Sequence, residues 1–200
     1  MTITTPFAAA VLAGGRASRM GTDKAFFVWR GQRLLDRQLN LLSSLGPVEL
    51  LLSGRRGVDY GVARAQLVHD LVPDQGPLGG LVAVMESTEA PHVVVLAVDM
   101  PTMTAEFMRR LLARRRSGVG VVVRTASSWE PLAALYPREI LPLLRERLAR
   151  QELALQQLIE SAVAAGLLVP MDVSPAEMGL FANLNTPADV TSLGQENREV

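Results

Sequence analysis

Short runs of apolar residues alternate along the chain with longer stretches in which apolar positions recur every three or four residues. FAAAVLAGG (7–15) is a continuous apolar run ending on two glycines, which predicts a buried strand breaking into a tight turn. In 32–46, Leu34, Leu35, Gln38, Leu41, Leu42 and Leu45 share one helical face, and Gly46-Pro47 supplies a stop. Further strands are predicted at 48–54, 65–70 and 92–101, the last (HVVVLAVDMP) being the most strand-like run in the chain. GPLGGLVAVMEST (76–88) reads as a flexible glycine loop entering a helix. TAEFMRRLLARRRSG (104–118) reads as a helix capped by Thr104 and stopped by Gly118. Strands over 119–125 and 131–137, helices in REILPLLRERLARQ and LALQQLIESAVAAGL, and a strand around LLVPMDV follow. Continuous apolar strands separated by helices imply a sheet covered on both faces, hence a layered α/β fold with a mostly parallel sheet. No repeat, low-complexity tract or long linker interrupts the pattern. Residues 1–200 are therefore expected to form one domain, with 193–200 as a frayed polar tail.

Composition narrows the function classes. Hydrophobic residues make up 48% of the chain, enough for a large core, while 20 Lys+Arg balance 20 Asp+Glu. That balance argues against a nucleic-acid coat or a binder of anionic membranes, which show a basic excess. There are no cysteines, which excludes disulfides and thiolate sites. The N-terminus has no basic leader, and no run approaches the ~18–20 apolar residues of a membrane span, so a soluble cytoplasmic protein is expected.

Four stretches carry candidate chemistry. LAGGRASRMGTDKA (12–25) lies where ligands bind α/β sheets, beyond a strand's carboxyl end. Gly14 and Gly15 would let backbone N–H groups approach phosphate oxygens, with Arg16, Arg19 and Lys24 spreading positive charge over them. The alternative is an ordinary strand–turn with solvated cations. G-x-G-x-x-G is absent and the P-loop pattern fails, since five residues separate Gly15 from Gly21. In LAVDMP, Asp99 ends the central strand and suits a Mg²⁺ ion near a polyphosphate, or alternatively caps the following turn. In HDLVPDQGPLGGL, Asp70 ends a strand before a glycine-rich segment whose backbone could read a base edge, or which is simply a loop. In FANLNTPADV, Thr186, Pro187 and Asp189 form a capping box, and Asn183 and Asn185 alternate onto one side before it. Their amides suit a polar heterocycle or plain turn chemistry. His69 and His92 lack metal-ligand spacing and no G-x-S-x-G elbow exists. Arg109, Arg110, Arg114, Arg115 and Arg116 read as a solvated face in the last turns of a helix.

Taken together and in order, these stretches resemble the molybdenum cofactor guanylyltransferases, the MobA-type nucleotidyltransferases, over about residues 8–190. LAGG-x3-RMG-x-DK marks the superfamily; GPLGG with NLNTP narrows it to the guanylyltransferase branch. The resemblance implies a three-layer Rossmann-like fold of the nucleotide-diphospho-sugar transferase type. It implies transfer of GMP from GTP to Mo-molybdopterin, giving the guanine dinucleotide and pyrophosphate, with Mg²⁺. Carried over, Leu12, Ala13, Gly14 and Gly15 would line the nucleotide, with Lys24 and Arg19 neutralising its phosphates. Asp70, Pro77, Leu78 and Gly79 would hold the guanosine part, and Asp99 would bind both nucleotide and metal. Asn183 and Asn185 would face the pterin, and Asp23 reads as a structural partner. Transient contacts with a molybdenum-insertion protein and with acceptor molybdoenzymes or their chaperones are implied by the family alone. Two departures stand out: the loop after the second strand is LLLSGRR, where family members often carry asparagine, and Trp129-Glu130 stand where some relatives carry a basic residue. The alternatives are a molybdopterin cytidylyltransferase, a sugar-1-phosphate nucleotidyltransferase, and an inactive nucleotide-binding regulator.

Overall fold

A computed structural model describes residues 5–14, 23–69 and 75–184. Its elements run β1 (Ala8–Leu12), β2 (Val28–Trp29), β3 (Gln32–Arg33), α1 (Leu34–Ser43), β4 (Glu49–Gly54), β5 (Gln66–His69), α2 (Gly76–Glu86), β6 (His92–Ala97), α3 (Ala105–Ala113), β7 (Gly120–Arg124), β8 (Trp129–Pro137), α4 (Leu141–Ala149), α5 (Leu155–Ala164) and β9 (Leu168–Asp172). Seven strands form one sheet in the order β5-β4-β1-β6-β8-β7-β9. Strands β5, β4, β1 and β6 are mutually parallel; β8 runs antiparallel to both β6 and β7, and β9 is parallel to β7. The sheet is thus mostly parallel with one reversed strand, as in the expected α/β class.

Alternation along β1 shows why both faces need cover. Ala9, Val11 and Ala13 enter one core with Leu34, Leu35, Leu39 and Leu42 of α1 and with Phe107, Met108 and Leu111 of α3. Ala8, Ala10 and Leu12 enter the other with Leu78, Leu81 and Met85 of α2, Leu144 of α4 and Leu158 of α5. Each such leucine, fully buried, contributes about 1.5–3 kcal/mol of transfer free energy, so neither face is stable bare. That is the physical content of the three layers.

Several boundaries differ from the sequence expectation. The first helix starts at Leu34 rather than 32, because Gln32–Arg33 pair with Val28–Trp29 in a two-strand hairpin. Its turn places Arg30 at φ 49° and Gly31 at φ 76°, the paired positive φ of tight hairpins. GPLGG is no loop: α2 begins at Gly76, so Gly79 and Gly80 are buried helical residues. A high glycine content misled the expectation, and packing of an almost wholly apolar helix overrode it. Helix α3 ends at Ala113, so Arg114, Arg115 and Arg116 lie beyond it, in a turn closed by the Arg116–Val119 bridge. Thr104 does cap α3, accepting from the Phe107 N–H at 3.3 Å. Arg109 and Arg110 are solvent-exposed on its last turns.

A short 3-10 segment, Pro175–Phe181, returns the chain towards the end of β6. The Glu177 carboxylate accepts from the Ser174 N–H and hydroxyl, each at 2.9 Å, and pairs with Arg110. The backbone N–H of Ser174 leads these in holding Glu177 down at about 2. A folded pKa below the unfolded one stabilises the fold above the ordinary Glu range of ~4.3, and this is lost as pH falls towards 2. Glu177→Gln should therefore lower Tm at pH 7 by more than at pH 3. Equal gaps in melts at both pH values would show that the charge contributes nothing.

Candidate active site

Three neighbouring parallel strands deliver their carboxyl ends to one cleft. Leu12 of β1 lies in register with Ser53 of β4 on one side and Ala97 of β6 on the other. The ladder runs on into the loops: the Ala13 N–H donates to the Ser53 carbonyl at 2.9 Å and the Val98 N–H to the Leu12 carbonyl at 3.1 Å. Beyond this floor the cleft is lined by Ala13, Gly14, Lys24, Val98 and Asp99, by Gly76, Pro77 and Gly80 of α2, and by Leu132 of β8. In such sheets the amides at strand ends and helix starts are open to an anion.

Lys24 and Asp99, 75 residues apart in the chain, meet here. The ammonium Nζ lies 2.7 Å from Asp99 Oδ2, both side chains about one-fifth exposed. Each is aimed by local structure. Lys24 opens a 3-10 turn, Lys24–Phe26, whose cap is Asp23; the Asp23 carboxylate accepts from the Ala25 N–H at 3.1 Å. Asp99 follows β6, and the carbonyls of the next two residues are held by α1. Gln38 Nε2 donates to Met100 O at 2.6 Å, and Arg37 Nε donates to Pro101 O. The Asp99 carbonyl accepts from the Leu184 N–H at 2.9 Å; the preceding Asn183 is solvent-exposed and is not among the residues that line the cleft.

Asp23 takes no part in lining the cleft. It is buried and bonded to Arg55 Nη2 at 2.8 Å and Nε at 3.2 Å, with the Tyr60 hydroxyl at 3.4 Å. Burial pushes the Tyr60 phenol up, keeping it a protonated donor. Both histidines serve the backbone: His69 Nδ1 meets the Gly54 carbonyl at 3.0 Å, and His92 Nε2 meets that of Arg116 at 2.9 Å.

The expected site residues divide cleanly. Leu12, Ala13, Gly14, Lys24, Pro77 and Asp99 converge on the cleft. Leu78 and Gly79 do not: both are buried within α2, and Leu78 packs into the core beneath the sheet. Gly76 and Gly80 line the cleft instead. Gly15, Arg16, Arg19, Asp70, Asn185 and the Thr186–Asp189 capping box lie outside the described residues. Ser53, near the end of β4, also lines the cleft; it lies in the LLLSGRR stretch singled out above. Trp129 sits at the start of β8, bonded through its N–H and carbonyl to the Gln156 amide, and burial raises the Glu130 carboxyl beside it.

Known proteins are similar to this chain in sequence and fold. Residues 9–165 match the MobA-like NTP transferase domain. A probable molybdenum cofactor guanylyltransferase from Opitutus terrae is 36% identical over 91% of this chain and 92% of its own length. A molybdenum cofactor guanylyltransferase from Xanthomonas euvesicatoria is 32% identical over 98% and 99%. The crystal structure of molybdopterin-guanine dinucleotide biosynthesis protein A from Archaeoglobus fulgidus superposes with a TM-score of 0.74 over 93% of this chain and 96% of its own, at 22% identity. The chain therefore belongs to the MobA-like NTP transferase family, alongside the molybdenum cofactor guanylyltransferases, and is a nucleotidyltransferase.

Proposed function

We propose that the protein transfers GMP from GTP to the terminal phosphate of Mo-molybdopterin, releasing pyrophosphate. The observation that carries this is the Lys24–Asp99 pair at 2.7 Å, facing Gly14 and the start of α2 across the ends of β1 and β6. The names of the relatives supply the acceptor and the base.

A pterin phosphate oxygen attacks the α-phosphorus in line; the new P–O bond forms as the bond to the β-phosphate oxygen breaks, and pyrophosphate carries away the electron pair. No protein nucleophile is required. Two anions must be held together, so positioning and charge neutralisation do the work. Lys24 supplies a cation at the phosphates, and Gly14 backbone can approach them closely. Asp99 fits a divalent cation. Among the described residues no three His, Cys, Asp or Glu side chains gather to cage one, and Mg²⁺ is commonly held by one or two carboxylates plus substrate phosphates. When bound, that ion would neutralise charge on the transferring and leaving phosphates. Arg19 and Asp70 would act from the phosphate and guanosine sides, and Asn183 with Asn185 from the pterin side.

No helix among the described residues is long and apolar enough to cross a membrane, consistent with work in the cytoplasm. There the product would pass to acceptor molybdoenzymes or their chaperones, with transient contact to a molybdenum-insertion protein. Turnover of GTP with Mo-molybdopterin and Mg²⁺, with the dinucleotide identified by mass, tests the reading. A product formed only from CTP would replace guanylyl by cytidylyl transfer, and no product from any nucleotide would remove it.

A further inference from the structure

Arg55 lies in the departing loop after β4, outside the cleft, yet it is built into the cleft's support. Its guanidinium makes two bonds to Asp23 Oδ2, at 2.8 and 3.2 Å, while its backbone N–H donates to the Tyr60 hydroxyl at 2.9 Å. Tyr60 in turn stacks on Phe26, ring centroids 5.7 Å apart and 7° from parallel, at the end of the turn that Lys24 opens. The end of β4 also lies close: a Cβ added to Gly54 would fall 2.5 Å from the Tyr60 ring. Ser53, one residue earlier, lines the cleft. One cluster thus joins the Lys24 wall to the Ser53 wall.

We propose that Arg55 is a positioning residue that locks Asp23 so that Lys24 is presented to the phosphates; this rests on the nucleotidyl-transfer reading above. The Arg55 side chain is 44% exposed and that of Asp23 4%, so the pair itself adds little net stability, because desolvation of the carboxylate offsets the attraction. Removing Arg55 is different, since it takes the guanidinium charge from a buried carboxylate that keeps only the Ala25 N–H and the Tyr60 hydroxyl among the bonds described above. Asp23 is 8% exposed, and the next cation along the chain is the adjoining Lys24. Arg55 satisfies Asp23 and so leaves the lysine for the cleft.

In Arg55→Gln, kcat at saturating GTP should fall at least ~10-fold, since ångström-scale misplacement of a positioned group costs up to ~100-fold. Arg55→Lys should recover most of that loss by restoring the charge. Tyr60→Phe keeps the stacked ring, and should show a smaller loss. Amide exchange in the apo protein gives a readout that needs no substrate: in Arg55→Gln it should rise ~10-fold across 23–29 and remain unchanged in β6. A folded Arg55→Gln with wild-type kcat, unaltered exchange across 23–29, or an Arg55→Lys as impaired as Arg55→Gln would each overturn the proposal. Failure of wild-type turnover would strike the functional reading instead, leaving the exchange result to decide the latch.

Discussion

Asp99→Ala should lower kcat by ~10²–10³-fold or more, the scale seen when one preorganised electrostatic group is lost at a developing charge. GTP affinity should fall far less. The reason lies in how the residue is held. The turn after β6 is anchored through carbonyls: Leu184 bonds the Asp99 carbonyl, Gln38 that of Met100, and Arg37 that of Pro101. None of these involves the Asp99 side chain, so alanine leaves the turn and the nucleotide's floor intact while deleting the carboxylate. On the proposed reading, the ground state would keep its contacts to Gly14 and Pro77, and the transition state would lose its metal-holding group. Calorimetric binding of GTP beside steady-state turnover with Mg²⁺ separates the two. Near-normal turnover would sink the assignment of Asp99 as the metal carboxylate.

Lys24→Met should reduce kcat/KM for GTP by ~10²-fold, with both KM and kcat affected. A unit charge ~4 Å from a phosphate oxygen at an effective dielectric of ~20 is worth roughly 4 kcal/mol before desolvation, which leaves about two orders of magnitude as a net effect. The ammonium is partly buried and therefore only partly screened by water. Lys24→Arg should not restore full activity, because a longer side chain with a planar, forked guanidinium does not present its charge as the compact ammonium does, 2.7 Å from Asp99 Oδ2. Steady-state kinetics of the three proteins decides this; a KM change alone would confine Lys24 to ground-state binding.

Much of the fold was legible because the pattern was unambiguous. The apolar runs at 7–13 and 92–98 read as strands buried on both faces, as β1 and β6 are, and Thr104 caps its helix by accepting from the Phe107 N–H. Gly76–Gly80 misled because local composition favours a loop, whereas buried contacts of Leu78, Leu81 and Met85 make it a helix. The hairpin at Val28–Arg33 was missed because two-residue strands carry no periodicity. Of the residues expected from motifs, Lys24, Asp99, Gly14 and Pro77 line the cleft, while the Leu78 side chain lies in the core.

The sequence by itself determined the class of layered α/β fold, the positions of the central strands and the chemical types that gather at their ends, because period and residue type are local properties. Tertiary structure alone decided that β8 runs antiparallel between β6 and β7, since an apolar run reads the same in either direction. It alone brought Lys24 to Asp99 across 75 residues, and gave Gln38, which the pattern marked only as a place on an apolar face, the task of holding the Met100 carbonyl. It also made Arg55 the partner of a buried Asp23. Pairings of this kind depend on which strand ends lie side by side, and that is fixed by sheet order rather than by any local run of residues.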